Sequence, residues 1–403
     1  MVAENAQRGM TREEFEEFQL CSPIHGVDGF LRFCAKHVKI QDKRTGRAIP
    51  FDLWDCQRAM AGDLVMGLWL LCLKARQMGM TWLVAAYALW RMTYTPLYTV
   101  IVIAQSKEYA EDFVVDKLKF MYDHLPWYLQ QDIRRETRTR IDFQHGAQIR
   151  AFASGKKAAR SLTANLFIGD EAAFNETIEE AHRAALPTLE RSGGQSVLIS
   201  TSDGPSGFFY DEAEKAMRGE SIDEGTAQAY QFRFWSCFDH PDQDEDWYAR
   251  MARKHAHRAM HMHYEFPRTP EEAFTAAGGR IYPLFTKQRV PDGHLLELGA
   301  EHLRPEWKRY RFLDWGMRKS AMVCLWAVHI PTSRPRLTVH PECEFLSREL
   351  IAYAYKKDTT EPDKKNDHGP DALRYGVVTF NLTGHVHVYR ELYLWDWVSQ
   401  GMT

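Results

Sequence analysis

A mostly parallel, doubly wound α/β sheet is the fold class that the first half of the chain predicts, and three observations predict it. Five short apolar runs, LVMGLWLLCL, YTVIVIA, AQIRAFA, ANLFIGD and SVLIST, punctuate residues 51–203, each bounded by polar or glycine positions. Stretches of helical period, such as EYAEDFVVDKLKFMYDHL, lie between them. Strands that alternate with helices fold into parallel sheets covered on both faces. Two of the runs also end in chemistry: ANLFIGD leads into Asp170-Glu171, and SVLIST leads into Ser200-Thr201-Ser202.

Taken in order, residues 1–50 read as a helical then extended segment, with Thr11 placed to cap TREEFEEF. Residues 51–275 carry the α/β pattern, its last seventy positions polar and helix-rich. Glycine and proline rise over 276–306, which predicts a linker. A second α/β pattern opens at YRFLDWG and fills 307–403. At 403 residues the chain is long enough for two domains. With 51 Lys and Arg against 54 Asp and Glu it is no polycation, so a nucleic-acid surface must be a local patch. Seven scattered cysteines with no C-x₂-C pair exclude a zinc module or a disulfide framework and fit a reducing cytoplasm. The longest apolar run, 64–73, is too short to cross a bilayer, and the N-terminus has no signal-peptide core.

LCLKARQMGMTWLVAAYALW, residues 71–90, has the outline of a phosphate-binding loop between a strand and a helix. In the usual pattern, G-x-x-x-x-G-K-[ST], the lysine reaches the β/γ-phosphates. Here Gly79 and Thr81 keep their places, Met80 stands where the lysine belongs, and Lys74 stands at the first glycine. The missing charge then has to come from Lys74 or Arg76; the sequence does not decide between them, and Arg76, two residues into the loop, is the preferred candidate. Thr81 is placed to put its hydroxyl on Mg²⁺. Asp170, ending an apolar strand, would hold the same ion, and Glu171 would orient and deprotonate the attacking water. The hydroxyl cluster at 200–202 would sense the terminal phosphate.

With these elements in this order, the chain resembles the large terminase subunits of tailed bacteriophages. IPFDLWDCQRAM resembles that family's adenine-reading segment, with Gln57 on the base. KARQMGMTW, including Gln77, resembles its deviant phosphate loop. ARSLTANLFIGDEAAF resembles its strand with paired acids, and LISTSDGPSGFFYD, with Thr201, its coupling motif. YEFPRTPEEAF resembles the end of its ATPase domain. The resemblance implies a P-loop ATPase followed by an RNase H-like nuclease, with ATP and Mg²⁺ as cofactors. It implies a ring of copies on a portal protein, with Arg160 reaching into the neighbouring site. It further implies double-stranded DNA and a small terminase subunit as partners, no membrane, and the host bacterial cytoplasm as location.

The same resemblance places the nuclease ligands at Asp314, in RFLDWG, and at His368 and Asp371, in NDHGPDALRYGV. Two metal ions bridged by carboxylates, Mg²⁺ or Mn²⁺, would hydrolyse a phosphodiester there. The half is incomplete or rearranged, however. The stretch between Asp314 and Asp371 is too short for the family's usual strands and offers no convincing second acid. The tail HVHVYREL, with Glu391, resembles a strand that the family usually carries between its first and second ligands, so a permuted sheet is expected as one solution. A nuclease-defective prophage relic, binding nucleotide or portal without packaging, is the alternative. A helicase-like repair ATPase fits less well, because no second motor domain follows.

Overall fold

A helix that is apolar around its whole circumference has to be enclosed. Met80–Tyr94 is such a helix, and its Tyr87 and Trp90 are among the largest fully buried side chains. The computed structural model shows what encloses it. It describes residues 9–153, 164–175, 177–219, 229–255, 259–274, 296, 298, 300–314, 322–330, 336–352, 370–374 and 385–394. The chain divides into two units, 1–203 with 207–274, and 204–206 with 275–403. No helix among the described residues is long and apolar enough to cross a membrane.

The first unit opens with helices α1 (Arg12–Leu20) and α2 (Gly26–His37), a hairpin of β1 (Lys39–Gln41) and β2 (Ala48–Pro50), and α3 (Asp55–Val65). Thr11 and Glu14 close the capping box that the sequence announces. Glu17 of α1 gathers Arg32, Lys36 and His37 of α2, and the Arg32 guanidinium is the main reason its carboxyl is held down at about 2. The enclosed helix, α4 (Met80–Tyr94), is tied to this layer: Trp90 Nε1 donates to the Cys21 carbonyl at 2.7 Å and the Tyr94 hydroxyl to that of Phe18 at 2.8 Å.

Against α4 lies an eight-stranded sheet of β3 (Leu70–Lys74), β4 (Thr99–Ala104), β5 (Ile133–Thr137), β6 (Arg140–Phe143), β7 (Gln148–Ala153), β8 (Leu166–Asp170), β9 (Gln195–Ser200) and β10 (Gln231–Trp235). Its order is β10-β3-β9-β8-β4-β7-β6-β5, parallel from β10 to β7, with β6 and β5 antiparallel at the edge. Strands β3, β4, β8 and β9 are buried at every position, as double coverage requires. Because these strands are parallel, the turns after β3, β8 and β9 all open at one edge of the sheet, where ligands of open α/β sheets bind.

Two details differ from the sequence reading. The run LVMGLWLLCL is not one strand: Leu64 and Val65 end α3, Gly67 turns the chain at φ +76°, and the strand begins at Leu70. The polar stretch after residue 204 also supplies β10, whose QFRFW pattern pairs in parallel with β3. Its alternation is masked by Arg233, whose guanidinium binds Asp63 at 2.6 Å.

The second unit holds a four-stranded sheet of β11 (Lys308–Asp314), β12 (Met322–Ile330), β13 (Arg336–Val339) and β14 (His385–Leu394), in the order β11-β12-β14-β13. The tail strand β14 is therefore internal, antiparallel to β12 and parallel to β13. Leu346 and Leu350, from the helix Glu344–Ala352, and Leu373 pack with Phe312, Leu325, Val386 and Val388 to form its core. His387 is buried as well, because its ring nitrogens have partners in Thr338 Oγ1 and the Leu298 carbonyl, both at 2.9 Å.

Candidate active site

Lys74 is the last residue of β3 and is buried. A buried ammonium needs a counter-charge. Glu171 provides it, with Lys74 Nζ to Glu171 Oε1 at 2.9 Å. Burial opposes the lysine charge, but Glu171 and Asp170 outweigh it and hold the Lys74 pKa above the ordinary lysine value. The chain then turns. Ala75 N–H donates to the Trp235 carbonyl and Arg76 N–H to that of Glu265, at 2.9 and 2.7 Å. Arg76 Nη1 also binds Glu265 Oε2 at 2.9 Å, with its side chain mostly exposed. Of the two candidate cations, Lys74 thus sits among the acids, whereas Arg76, preferred from the sequence, sits on the rim, where Glu265 holds it.

Gln77 and Gly79 both take left-handed backbone, at φ +66° and +68°, on either side of Met78. Left-handed residues alternating in a turn aim successive N–H groups into one concavity that suits an anion. The first turn of α4, starting at Met80, adds its own unpaired N–H groups and the positive end of the helix dipole. Gly79 is required twice over: by its φ, and because a Cβ there would lie 2.6 Å from Gln57 Nε2. Gln57 in turn donates to the Met78 carbonyl at 2.9 Å and accepts from Trp54 N–H at 3.0 Å. It braces the loop and keeps one amide hydrogen for another acceptor.

Asp170 closes β8 and is buried; Thr81 Oγ1 donates to its Oδ1 at 3.0 Å. Burial pushes the Asp170 carboxyl up and the Glu171 charge adds to this, against Lys74 and Lys117. Glu171 sits at φ +50°, a strained conformation for a side chain of this size. What holds it is a set of donors: Lys74, Thr201 N–H at 3.2 Å and Ser200 Oγ at 3.4 Å, all on the carboxylate. Burial raises its pKa, but Lys74 and the β9 donors outweigh that and leave it lowered. The two adjacent acids are thereby driven apart in acidity.

Gln57, Lys74, Arg76, Gln77, Gly79, Met80, Thr81, Asp170, Glu171 and Thr201 all line one cavity of about 1130 Å³. The residues suit a nucleotide with a divalent ion. The loop is an anion cradle with no room for a side chain at Gly79, and Thr81 and Asp170 are hard oxygen donors of the kind Mg²⁺ takes. The cavity continues past Trp54 and His240, whose rings meet edge to face at 4.5 Å, and along Gln105, Tyr109, Asp112, Asp116 and Lys117. The sequence reading missed this second group. The spacing of 105, 109, 112 and 116 was a helical stripe, but polar stripes ordinarily face solvent.

Arg160 and His368 lie outside the described residues. Asp314 ends β11, at the sheet's edge, and its side chain is also outside them. Asp371 is buried, with Arg374 Nη2 donating to Oδ1 at 3.0 Å. Glu391 accepts the N–H groups of Phe345 and Leu346, both at 2.8 Å, so it caps the helix Glu344–Ala352. Burial, against those two bonds, pushes it up to about 7, and Glu349 and Glu344 add to the shift. Glu349 is buried as well.

Residues 71–283, more than half of the chain, match the family described as terminase large subunit, T4likevirus-type, N-terminal. Among solved structures, the large terminase ATPase domain of Thermus phage P74-26 is 19% identical, with a TM-score of 0.44 over 56% of this chain and 95% of that one. The HK97 bacteriophage large terminase is 16% identical, with a TM-score of 0.49 over 76% of this chain and 65% of that one.

Proposed function

The chain belongs to the terminase large-subunit family and is an ATPase, and from that premise we propose that it is the motor that drives double-stranded DNA into a phage procapsid. The observation that carries the reading is the meeting of Lys74, Thr81, Asp170, Glu171 and Thr201 at the carboxyl ends of three parallel strands. Lys74 and the loop N–H groups bind the phosphates. Thr81 and Asp170 hold Mg²⁺, which when bound neutralises phosphate charge. Glu171 orients the attacking water and takes its proton. Ser200 and Thr201 hold Glu171 in place, so a shift of β9 moves the base. Gln57 offers its remaining N–H to the base of ATP. Arg160 acts across to a neighbouring copy in a ring docked on the portal, and the small terminase subunit brings the DNA, all within the host cytoplasm.

In this reading residues 51–275 form the motor, 276–306 the linker and 307–403 a nuclease of the RNase H type. The test is ATP hydrolysis by the purified full chain, with and without linear double-stranded DNA, and then DNA protection in purified procapsids. Turnover raised by DNA and protected DNA are expected. A folded chain that binds nucleotide or portal but protects no DNA would instead be a packaging relic.

The nuclease half rests on Asp314, His368 and Asp371 binding Mg²⁺ or Mn²⁺. The internal position of β14 favours it, because the strand missing between Asp314 and Asp371 is supplied from the end of the chain. Supercoiled plasmid incubated with the protein and Mn²⁺ is expected to be cut, and Asp371→Ala to lose at least as much of that rate as loss of a ligand's hydrogen-bond partner costs, about 10- to 100-fold. Equal cutting by the variant would show that the nicking belongs to a contaminant.

A further inference from the structure

The segment after β4 begins as the helix Lys107–Asp112 and then becomes a π-helix, Phe113–Lys119. Turns closed at i+5 are rare and concentrate at functional sites. They also change which residues share a face. Positions five apart point to different sides of an α-helix, but a π-turn brings them towards the same side. Here Asp112 and Lys117 both line the nucleotide cavity, together with Thr81, Asp170 and Glu171.

The lysines of this segment differ in their partners. Lys107 is tied to Glu111, and Lys119 to Asp123 and Glu136. Lys117, half-buried, has no hydrogen bond or ion pair among the described residues. It lines the same cavity as Lys74, Thr81, Asp170 and Glu171.

Lys74 alone must serve two anions, because it is the counter-charge of Glu171 as well as the ligand for phosphate. An ammonium with no partner among the described residues, in the lining of the same cavity, removes that conflict. We propose that Lys117 binds the terminal phosphate of ATP as a second cation of the site, presented there by the π-turn. This rests on the ATPase reading. A compact, mobile ammonium suits a phosphate oxygen. Placed where charge develops during transfer, it contributes to turnover as well as to binding.

The experiment compares the full-length wild type with Lys117→Ala and Lys117→Arg. Affinities for a fluorescent ADP and for a non-hydrolysable ATP analogue are measured with Mg²⁺, beside kcat and KM. Circular dichroism checks the fold. Lys117→Ala is expected to weaken the ATP analogue about 10-fold or more and to leave ADP within about 2-fold, because only the terminal phosphate is lost as a partner. Its kcat should fall about 10- to 100-fold, and Lys117→Arg should recover most of the analogue affinity. Equal weakening of both nucleotides, or of neither, overturns the proposal while wild-type turnover keeps the ATPase reading intact. A wild type that binds neither nucleotide overturns both.

Discussion

Glu171→Gln is expected to bind ATP and not turn it over. The substitution keeps the side chain's size and one acceptor oxygen but removes the charge and the basicity. General-base catalysis of this kind is worth about 10²–10⁴-fold, so kcat should drop by that range. Nucleotide affinity should hold or rise. Glu171 occupies Lys74 through the 2.9 Å ion pair, and phosphate has to compete for that ammonium. A glutamine competes less. The strained backbone at Glu171 is supported by β9 through Thr201 N–H and Ser200 Oγ, and a glutamine oxygen can still accept from them. The check is steady-state ATP turnover beside a fluorescent-nucleotide titration. Retained turnover would remove Glu171 from the role of base, and lost binding would make it a structural partner of Lys74.

How much of this was legible beforehand depends on the kind of signal. The strands β4, β8 and β9 stood out because burial on both faces makes them short apolar runs with sharp ends, and β7 stood out by its alternation of buried and half-buried positions. The acids after β8 and the hydroxyls after β9 were legible as strand ends, and the sheet order puts them side by side. The choice between Lys74 and Arg76 was not legible. It depends on Glu265, some 190 positions downstream, which receives the Arg76 backbone and side chain together. The role of Gln57 in bracing the loop was equally out of reach, since nothing local says that its amide meets the Met78 carbonyl. Nor could spacing reveal the π-turn at 113–119, because helical periodicity assumes closure at i+4. In the second unit, the tail read correctly as a strand. Its place inside the sheet is a long-range pairing that only the assembled fold fixes.

Lys74→Met and Arg76→Ala are expected to separate cleanly. Lys74 is enclosed, and its partner Glu171 is itself largely covered. Removing one member of a buried pair leaves the other charge uncompensated and costs about 3–5 kcal/mol. Here two acids, Asp170 and Glu171, lose their nearest cation at once. Methionine fills the volume, so the loss is of charge rather than packing. The variant should therefore melt earlier and lose both ATP binding and turnover. Arg76 makes an ion pair with a mostly exposed side chain, and such pairs contribute about 0–1 kcal/mol. Its backbone N–H bond to the Glu265 carbonyl survives truncation, so the turn keeps its course. Turnover of Arg76→Ala should stay within about 3-fold of wild type, in line with losing a rim contact. Thermal melts and nucleotide titration on the two variants decide the matter. If Arg76→Ala abolishes ATP binding while folded, and Lys74→Met keeps it, then the rim arginine swings over the loop when nucleotide arrives. In that case the buried lysine serves only to hold Glu171.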